Sequence, residues 1–307
     1  MDKRSAWVIG IVFGGLFLCL FGFLSLVFLA VKDGERHAPV MGKRADRVGV
    51  VEILGEIHDS KKVLKELRGF AEDEGVKAVV VRIDSPGGAV APSQEIYDAV
   101  KRLSAKKKVV ASMGSTAASG GYYIAAAAEK IFANAGTLTG SIGVIFQLPN
   151  VEGIMKWAGV QMNVITAGAR KDSGSPFREM RPEEREYFES LLKDVHEQFI
   201  QAVAEGRKLD VEVVRPVADG RVFSGRQAKE LKLVDELGGL QDAVEGAAKM
   251  AGLEGEPEVE YPAHDKKFLR ELLGDEVDSL AQHAASAALR PLGGAGLLFR
   301  MPGVSAP

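Results

Sequence analysis

The run Ala78-Val79-Val80-Val81-Arg82-Ile83-Asp84-Ser85-Pro86-Gly87-Gly88 carries the fold class. Three consecutive valines in a short segment closed by a Pro-Gly-Gly turn suit a strand buried on both faces, as in a parallel sheet covered by helices. On either side of it, β-rich runs alternate with helical patterns. The spacing predicts a strand over Val48–Ile53, a helix over Ser60–Glu72, the strand Ala78–Ile83, a helix over Ser93–Leu103 and a strand over Val109–Met113. This βαβαβ order predicts an α/β fold with a mostly parallel sheet. Beyond it come a helix through Ala125–Ala128, strands at Lys130–Ala133 and Gly143–Ile145, a helix over Val151–Ala158 and a strand over Val160–Thr166. Pro182 followed by Glu183 and Glu184 starts a helix whose apolar face, from Tyr187 through Phe199 to Val203, continues to about Arg207.

The N-terminal part is different in kind. Trp7 to Val31 carries no charged residue. As a helix it would reach roughly 37 Å, enough to cross a hydrocarbon core of about 30 Å. A secretory apolar core usually runs only about 7–15 residues, so this segment reads as a membrane anchor following a short tail of residues 1–6. Cys19, the single cysteine, lies inside it after Leu18, which fits neither a lipoprotein signal nor an intrachain disulfide. Lys3 and Arg4 precede the span while Lys32, Arg36, Lys43, Arg44 and Arg47 follow it, so charge alone leaves the orientation open. Residues 32–47 read as a tether, 48–255 as the folded domain, and 256–307 as an extension with a helix over Lys266–Leu289 and a loosely held end broken by Gly293, Gly294, Gly296 and Pro302.

Composition narrows the function classes. With 46% hydrophobic residues, 26% charged residues and 39 Lys+Arg against 42 Asp+Glu, the chain is neither a disordered segment nor a polybasic nucleic-acid binder.

Three glycine-rich turns follow expected strands, where ligands and catalytic groups gather in open parallel sheets. The first is Asp84–Gly88, either a tight turn or a place where backbone N–H groups approach a ligand. The second is Met113–Tyr123, in which Ser119 precedes Gly120 at a helix start. Such a serine is an N-cap, or a nucleophile beside a backbone N–H and a favourable helix dipole. The third, Ala167–Pro176, holds Lys171. A loop lysine is ordinarily solvated; to act as a base it must be dried until its pKa falls from about 10.4 towards roughly 7. Ser141, within Thr139–Gly143, is the hydroxyl best placed to orient such an amine. His37, His58, His196, His264 and His283 are scattered, and none sits at a glycine-rich strand end.

Taken together, Asp84–Gly88, Met113–Tyr123, Leu138–Ile145, Lys171 with Asp172 and Ser175–Arg178, and Gly220–Ala228 resemble the signal peptide peptidase A family, membrane-anchored Ser-Lys peptidases of the S49 type on the ClpP/crotonase fold. The resemblance covers roughly residues 48–250. It implies that Ser119 is the nucleophile, Lys171 the general base and Ser141 the group orienting it, with oxyanion-hole N–H groups from Gly88 and Gly120. It implies no metal and no organic cofactor. The short single-domain form implies a ring-shaped homo-oligomer such as an octamer, anchored in the inner membrane with its domain on the extracytoplasmic side, acting on remnant signal peptides and other unfolded hydrophobic peptides. A crotonase-type acyl-CoA enzyme and a non-catalytic membrane scaffold are the competing functions on the same fold. A ClpP-class protease partnered with stomatin-like proteins would carry further membrane spans.

Overall fold

The computed structural model describes residues 46–262 and 298–300. The apolar span Trp7–Val31, most of the tether and the expected helix Lys266–Leu289 lie outside the described residues. Among those described, no helix is long and apolar enough to cross a membrane.

The expected βαβαβ opening is present, with its three strands and second helix somewhat longer. Strand β1 (Arg47–Leu54) is followed by helix α1 (Lys61–Glu72), β2 (Val76–Ser85), the short β3 (Gly87–Ala89), helix α2 (Val90–Ser104) and β4 (Lys108–Ala118). Then come α3 (Gly120–Ala125), β5 (Lys130–Ala133), β6 (Leu138–Gly140), α4 (Glu152–Trp157) and the long α5 (Pro182–Arg207). After α6 (Val211–Val214) the chain forms β7 (Val222–Ser224), α7 (Gly225–Glu230), β8 (Glu236–Leu237), α8 (Leu240–Met250), β9 (Glu258–Glu260) and β10 (Leu298–Arg300).

The eight-stranded sheet runs β7-β6-β4-β2-β1-β9, with β5 on β4 and β8 on β5. Its pairs are parallel except β6 with β7. The valine run is continuous because both faces of β2 are covered. Val79, Val81 and Ile83 join the core that includes helices α1, α2, α3 and α5, whereas Ala78 and Val80 pack with Ala243, Val244, Ala247 and Ala248 of α8. Arg47, one residue ahead of the expected start of β1, is buried and ion-paired to Asp73 and Glu260.

Strand β4 sets the site. Its first half pairs with β5 through Val110–Met113, and its end pairs with β6 through Thr116–Ala118. Against β2 the register jumps from Ile83 opposite Met113 to Ser85 opposite Ala117, a bulge that bends the strand. The Asp84 carboxylate fills the bend, accepting the Thr116 N–H at 3.0 Å and the Ser115 N–H at 3.3 Å.

Two sequence expectations fail between β6 and α5. The strand expected at Gly143–Ile145 lies instead at Leu138–Gly140, where the end of β4 offers an unpaired edge. Val160–Thr166 forms no strand: Val160, Met162 and Val164 are half exposed and Ile165 is 98% exposed, and no strand among the described residues pairs with them. Alternating apolar residues make a strand only where another backbone can take their hydrogen bonds.

Candidate active site

At the end of β4 the chain turns into α3 through Ser119, whose φ of 53° and ψ of −117° lie where side-chain-bearing residues rarely go. Such a conformation costs of order 1–3 kcal/mol and persists only where its surroundings hold it. Here the Ser119 N–H donates to the Gly140 carbonyl at 2.9 Å, and the Ser119 carbonyl accepts from the Tyr123 N–H at 2.8 Å. Helix α3 is buried along its whole length. The Tyr123 ring stands 4.9 Å from both Tyr97 and Phe199, and the Tyr122 hydroxyl donates to the Leu233 carbonyl at 3.0 Å. Burial pushes the Tyr97 and Tyr123 phenols up to about 12, so they remain neutral.

Ser119 is fully buried, and its Oγ has no hydrogen-bond partner among the described residues. It is not spent as an N-cap, because no side-chain capping bond forms. A buried hydroxyl left unpaired costs about 1–3 kcal/mol, which makes this an unusual use of a serine unless another group joins it. Since Oγ has no partner, neither Lys171 nor either described histidine, His58 or His196, pairs with it. Exposed His58 lies 4.0 Å from Glu56. His37, His264 and His283 fall outside the described residues.

The segments that carry Gly88 and Ser141 approach the Ser119 corner, β3 by packing on α3 and Gly140 by accepting the Ser119 N–H. On the β3 side, Gly121 at the start of α3 packs so closely on β2 that a Cβ there would lie 3.0 Å from the Ser85 carbonyl oxygen. Gly88 in β3 bridges to Ile57, and a Cβ on it would run into the Ile57 backbone. Gly120 is the first residue of α3, where helix geometry leaves the N–H without an intrahelical acceptor. On the other side Ser141 follows Gly140 directly, is buried, has φ +50°, and donates its N–H to the Arg221 carbonyl at 2.8 Å.

Lys171 is not part of this cluster. It lies in a turn, exposed, with its N–H donating to the Gly168 carbonyl at 3.1 Å. The sequence placed it just after a strand; with no strand at Val160–Thr166, it rides instead on an arm whose Ile154, Trp157 and Ile165 are 66%, 89% and 98% exposed. In the C-terminal extension Leu298–Arg300 pairs antiparallel with Gly87–Ala89, Phe299 opposite Gly88, so β3 offers an edge to an extended chain.

Three features were not singled out in the sequence: the backbone-holding role of Asp84, the left-handed turn at Ser119, and an Arg178–Glu184 network beside Lys171. Only the first left a visible trace, an acidic residue opening a Pro-Gly-Gly turn. Among the described residues no cluster of His, Cys, Asp and Glu could hold a metal ion.

A serine at positive φ on a strand-to-helix corner, its hydroxyl without a partner among the described residues, is similar to the way α/β hydrolases, on a different fold, expose a hydroxyl. Comparison with known proteins finds protease families. Residues 101–254 match the model of peptidase family S49, and residues 33–139 match that of Clp protease. "Putative protease slr0021" of Synechocystis sp. is 46% identical over 75% of this chain and 84% of its own length. "Putative signal peptide peptidase SppA" of Enterococcus faecium is 35% identical over 72% of this chain and 65% of its own length. "Protease 4" of Haemophilus influenzae is 30% identical over 67% of this chain and 35% of its own length. The chain belongs to peptidase family S49, a protease on an α/β fold of the Clp protease type.

Proposed function

We propose that this protease is a serine endopeptidase in which Ser119 is the nucleophile and Lys171, supplied by the partner subunit, is the general base. The observation that carries the reading is the buried, unpartnered Ser119 Oγ at the N-terminus of α3. Among the described residues of its own chain no base pairs with it, while Lys171 is exposed on an arm with unburied apolar residues. A heterologous contact between copies that buries Trp157 and Ile165 would bring the two together, and repetition of such a contact closes a ring. Exclusion of water at the joint is what allows a lysine to work as a base.

In the reaction, Ser119 Oγ bonds to the scissile carbonyl carbon while its proton passes to Lys171 Nζ. The N–H groups of Gly88 and Gly120 hold the oxyanion, Lys171 protonates the departing amine, and water then cleaves the ester. Ser141 orients the amine. The edge of β3 on which Leu298–Arg300 lies as a strand supports an extended peptide as substrate. The name of the Enterococcus faecium relative points to remnant signal peptides, and the uncharged Trp7–Val31 would hold the enzyme in the membrane that releases them, its domain extracytoplasmic.

Mixing Ser119→Ala and Lys171→Ala chains tests this reading. Each variant alone is expected to be inactive. After subunit exchange a one-to-one mixture should recover about one quarter of wild-type peptide hydrolysis, because a site works only where a Ser119-bearing copy meets a Lys171-bearing one. No recovery after verified exchange would place the pair within one chain or remove it altogether.

A further inference from the structure

Lys171 sits on a segment without sheet partners, yet the residues on both sides of it are tied to the start of α5. On one side the Arg170 guanidinium lies over the Tyr187 ring at 5.0 Å. On the other, Asp172 is gripped twice by one side chain: Arg178 Nε donates to its carboxylate at 2.8 Å and Arg178 Nη2 to its main-chain carbonyl at 2.6 Å. The same guanidinium forks onto Glu184, Nη1 to Oε2 at 2.9 Å and Nη2 to Oε1 at 2.7 Å. Glu184, in the first turn of α5, is only 2% exposed. It is fixed further by the Arg181 N–H at 3.0 Å and the Arg181 side chain at 2.6 Å.

Fold stability gives little reason for this arrangement. Burying a carboxylate costs desolvation that its pairing only roughly returns, so replacing the whole network by apolar residues of similar volume would leave stability about the same. What a planar guanidinium forked between two carboxylates does supply is orientation, because five donors in a rigid plane leave few ways to satisfy them all. Arg178 holds the Glu184 carboxyl well below the usual carboxylate range, so the fork remains charged under working conditions. The chain Asp172–Arg178–Glu184 thus transmits the position of a core helix to the residue next to Lys171.

We propose that Arg178 and Glu184 are positioning residues for Lys171: neither touches the reacting atoms, and together they fix the backbone at Asp172 so that the lysine amine is presented to the serine site. The proposal rests on the reading of Lys171 as the base. A displacement of about 1 Å in a reacting group can cost on the order of a hundredfold in rate, so a floppy arm would be catalytically expensive even if it folded and assembled normally.

The test uses the full chain in its assembled form and the variants Arg178→Lys, Arg178→Ala and Glu184→Gln. Arg178→Lys keeps the charge and loses the fork. We expect kcat for a peptide to fall about tenfold or more while KM moves by less than about twofold, with the assembly unchanged by sedimentation. Ethylguanidine added to Arg178→Ala should restore at least about fivefold of the lost kcat, which a merely destabilised chain would not show. A double-mutant cycle on a reactive ester substrate separates this proposal from the reading beneath it. Adding Arg178→Ala to Lys171→Ala should change the residual rate by less than about twofold, since the clamp has no amine left to position. A full additional loss in that background, or wild-type kcat in Arg178→Lys, overturns the proposal while leaving Lys171 as the base. Wild-type turnover in Lys171→Ala itself overturns both.

Discussion

Gly88→Ala is the substitution whose outcome follows most directly from the geometry. Built on the backbone, the new Cβ would stand 2.5 Å from the Ile57 nitrogen and 2.7 Å from its carbonyl carbon. Ordinary contact needs about 3.4 Å, and both atoms belong to backbone held by the Ile57 N–H bond to Gly87 and the Ala89 N–H bond to Ile57. No side chain can swing aside, so β3 has to retreat by about 1 Å. Overpacking of this kind costs roughly 1–3 kcal/mol, leaving a folded chain. The same retreat takes the residue 88 N–H away from the oxyanion, and loss of one such donor costs on the order of 10²–10³ in kcat. Steady-state hydrolysis of a fluorogenic peptide should therefore show kcat reduced about a hundredfold or more. KM should change far less, and fluorophosphonate labelling of Ser119 should be slowed in parallel. Turnover within about threefold of wild type in a chain shown to fold would remove Gly88 from the oxyanion hole.

Glu184→Gln should make stability respond to pH in a definite sense. Because Arg178 depresses the folded-state pKa of this carboxyl, its stabilisation is present above the unfolded value of about 4.3 and is lost as pH falls below it. The melting temperature gap between wild type and Glu184→Gln is expected to be about 4–8 °C near neutral pH, for a loss of about 2 kcal/mol, and to narrow progressively as pH falls below about 4; a gap independent of pH would contradict the charged fork. A chain ending before Leu298 leaves the edge of β3 uncovered, so KM for extended peptides should fall with kcat unchanged, and an unaltered KM would mean that β10 does not compete for that edge. Tyr122→Phe removes the donor to the Leu233 carbonyl deep under Ser119 and should cost about 1 kcal/mol by urea denaturation without abolishing hydrolysis.

Local patterns carried the layered part of the molecule. The valine run of β2, the βαβαβ order and the helix opening at Pro182 each record burial by neighbours close in sequence order, so composition and period suffice to read them. The glycines and small residues of Met113–Tyr123 likewise marked a strand-to-helix corner with Ser119 at its tip. Other features depended on contacts between distant segments. Whether Val160–Thr166 becomes a strand turns on a neighbouring edge, and among the described residues none pairs with it. Whether Ser119 serves as an N-cap or keeps its hydroxyl unspent turns on φ at one residue, set by the Gly140 carbonyl and the packing of Tyr123. The grip of Arg178 on Asp172 and Glu184 appears only once the arm is folded back on α5, because pairing of charges six residues apart follows no helical or strand period. The amino-acid order alone determined which segments are buried on both faces and where small residues let a backbone come close. Only the three-dimensional arrangement decided which polar groups are satisfied and which, like Ser119 Oγ, are left waiting, since hydrogen-bond satisfaction depends on what each group meets in space.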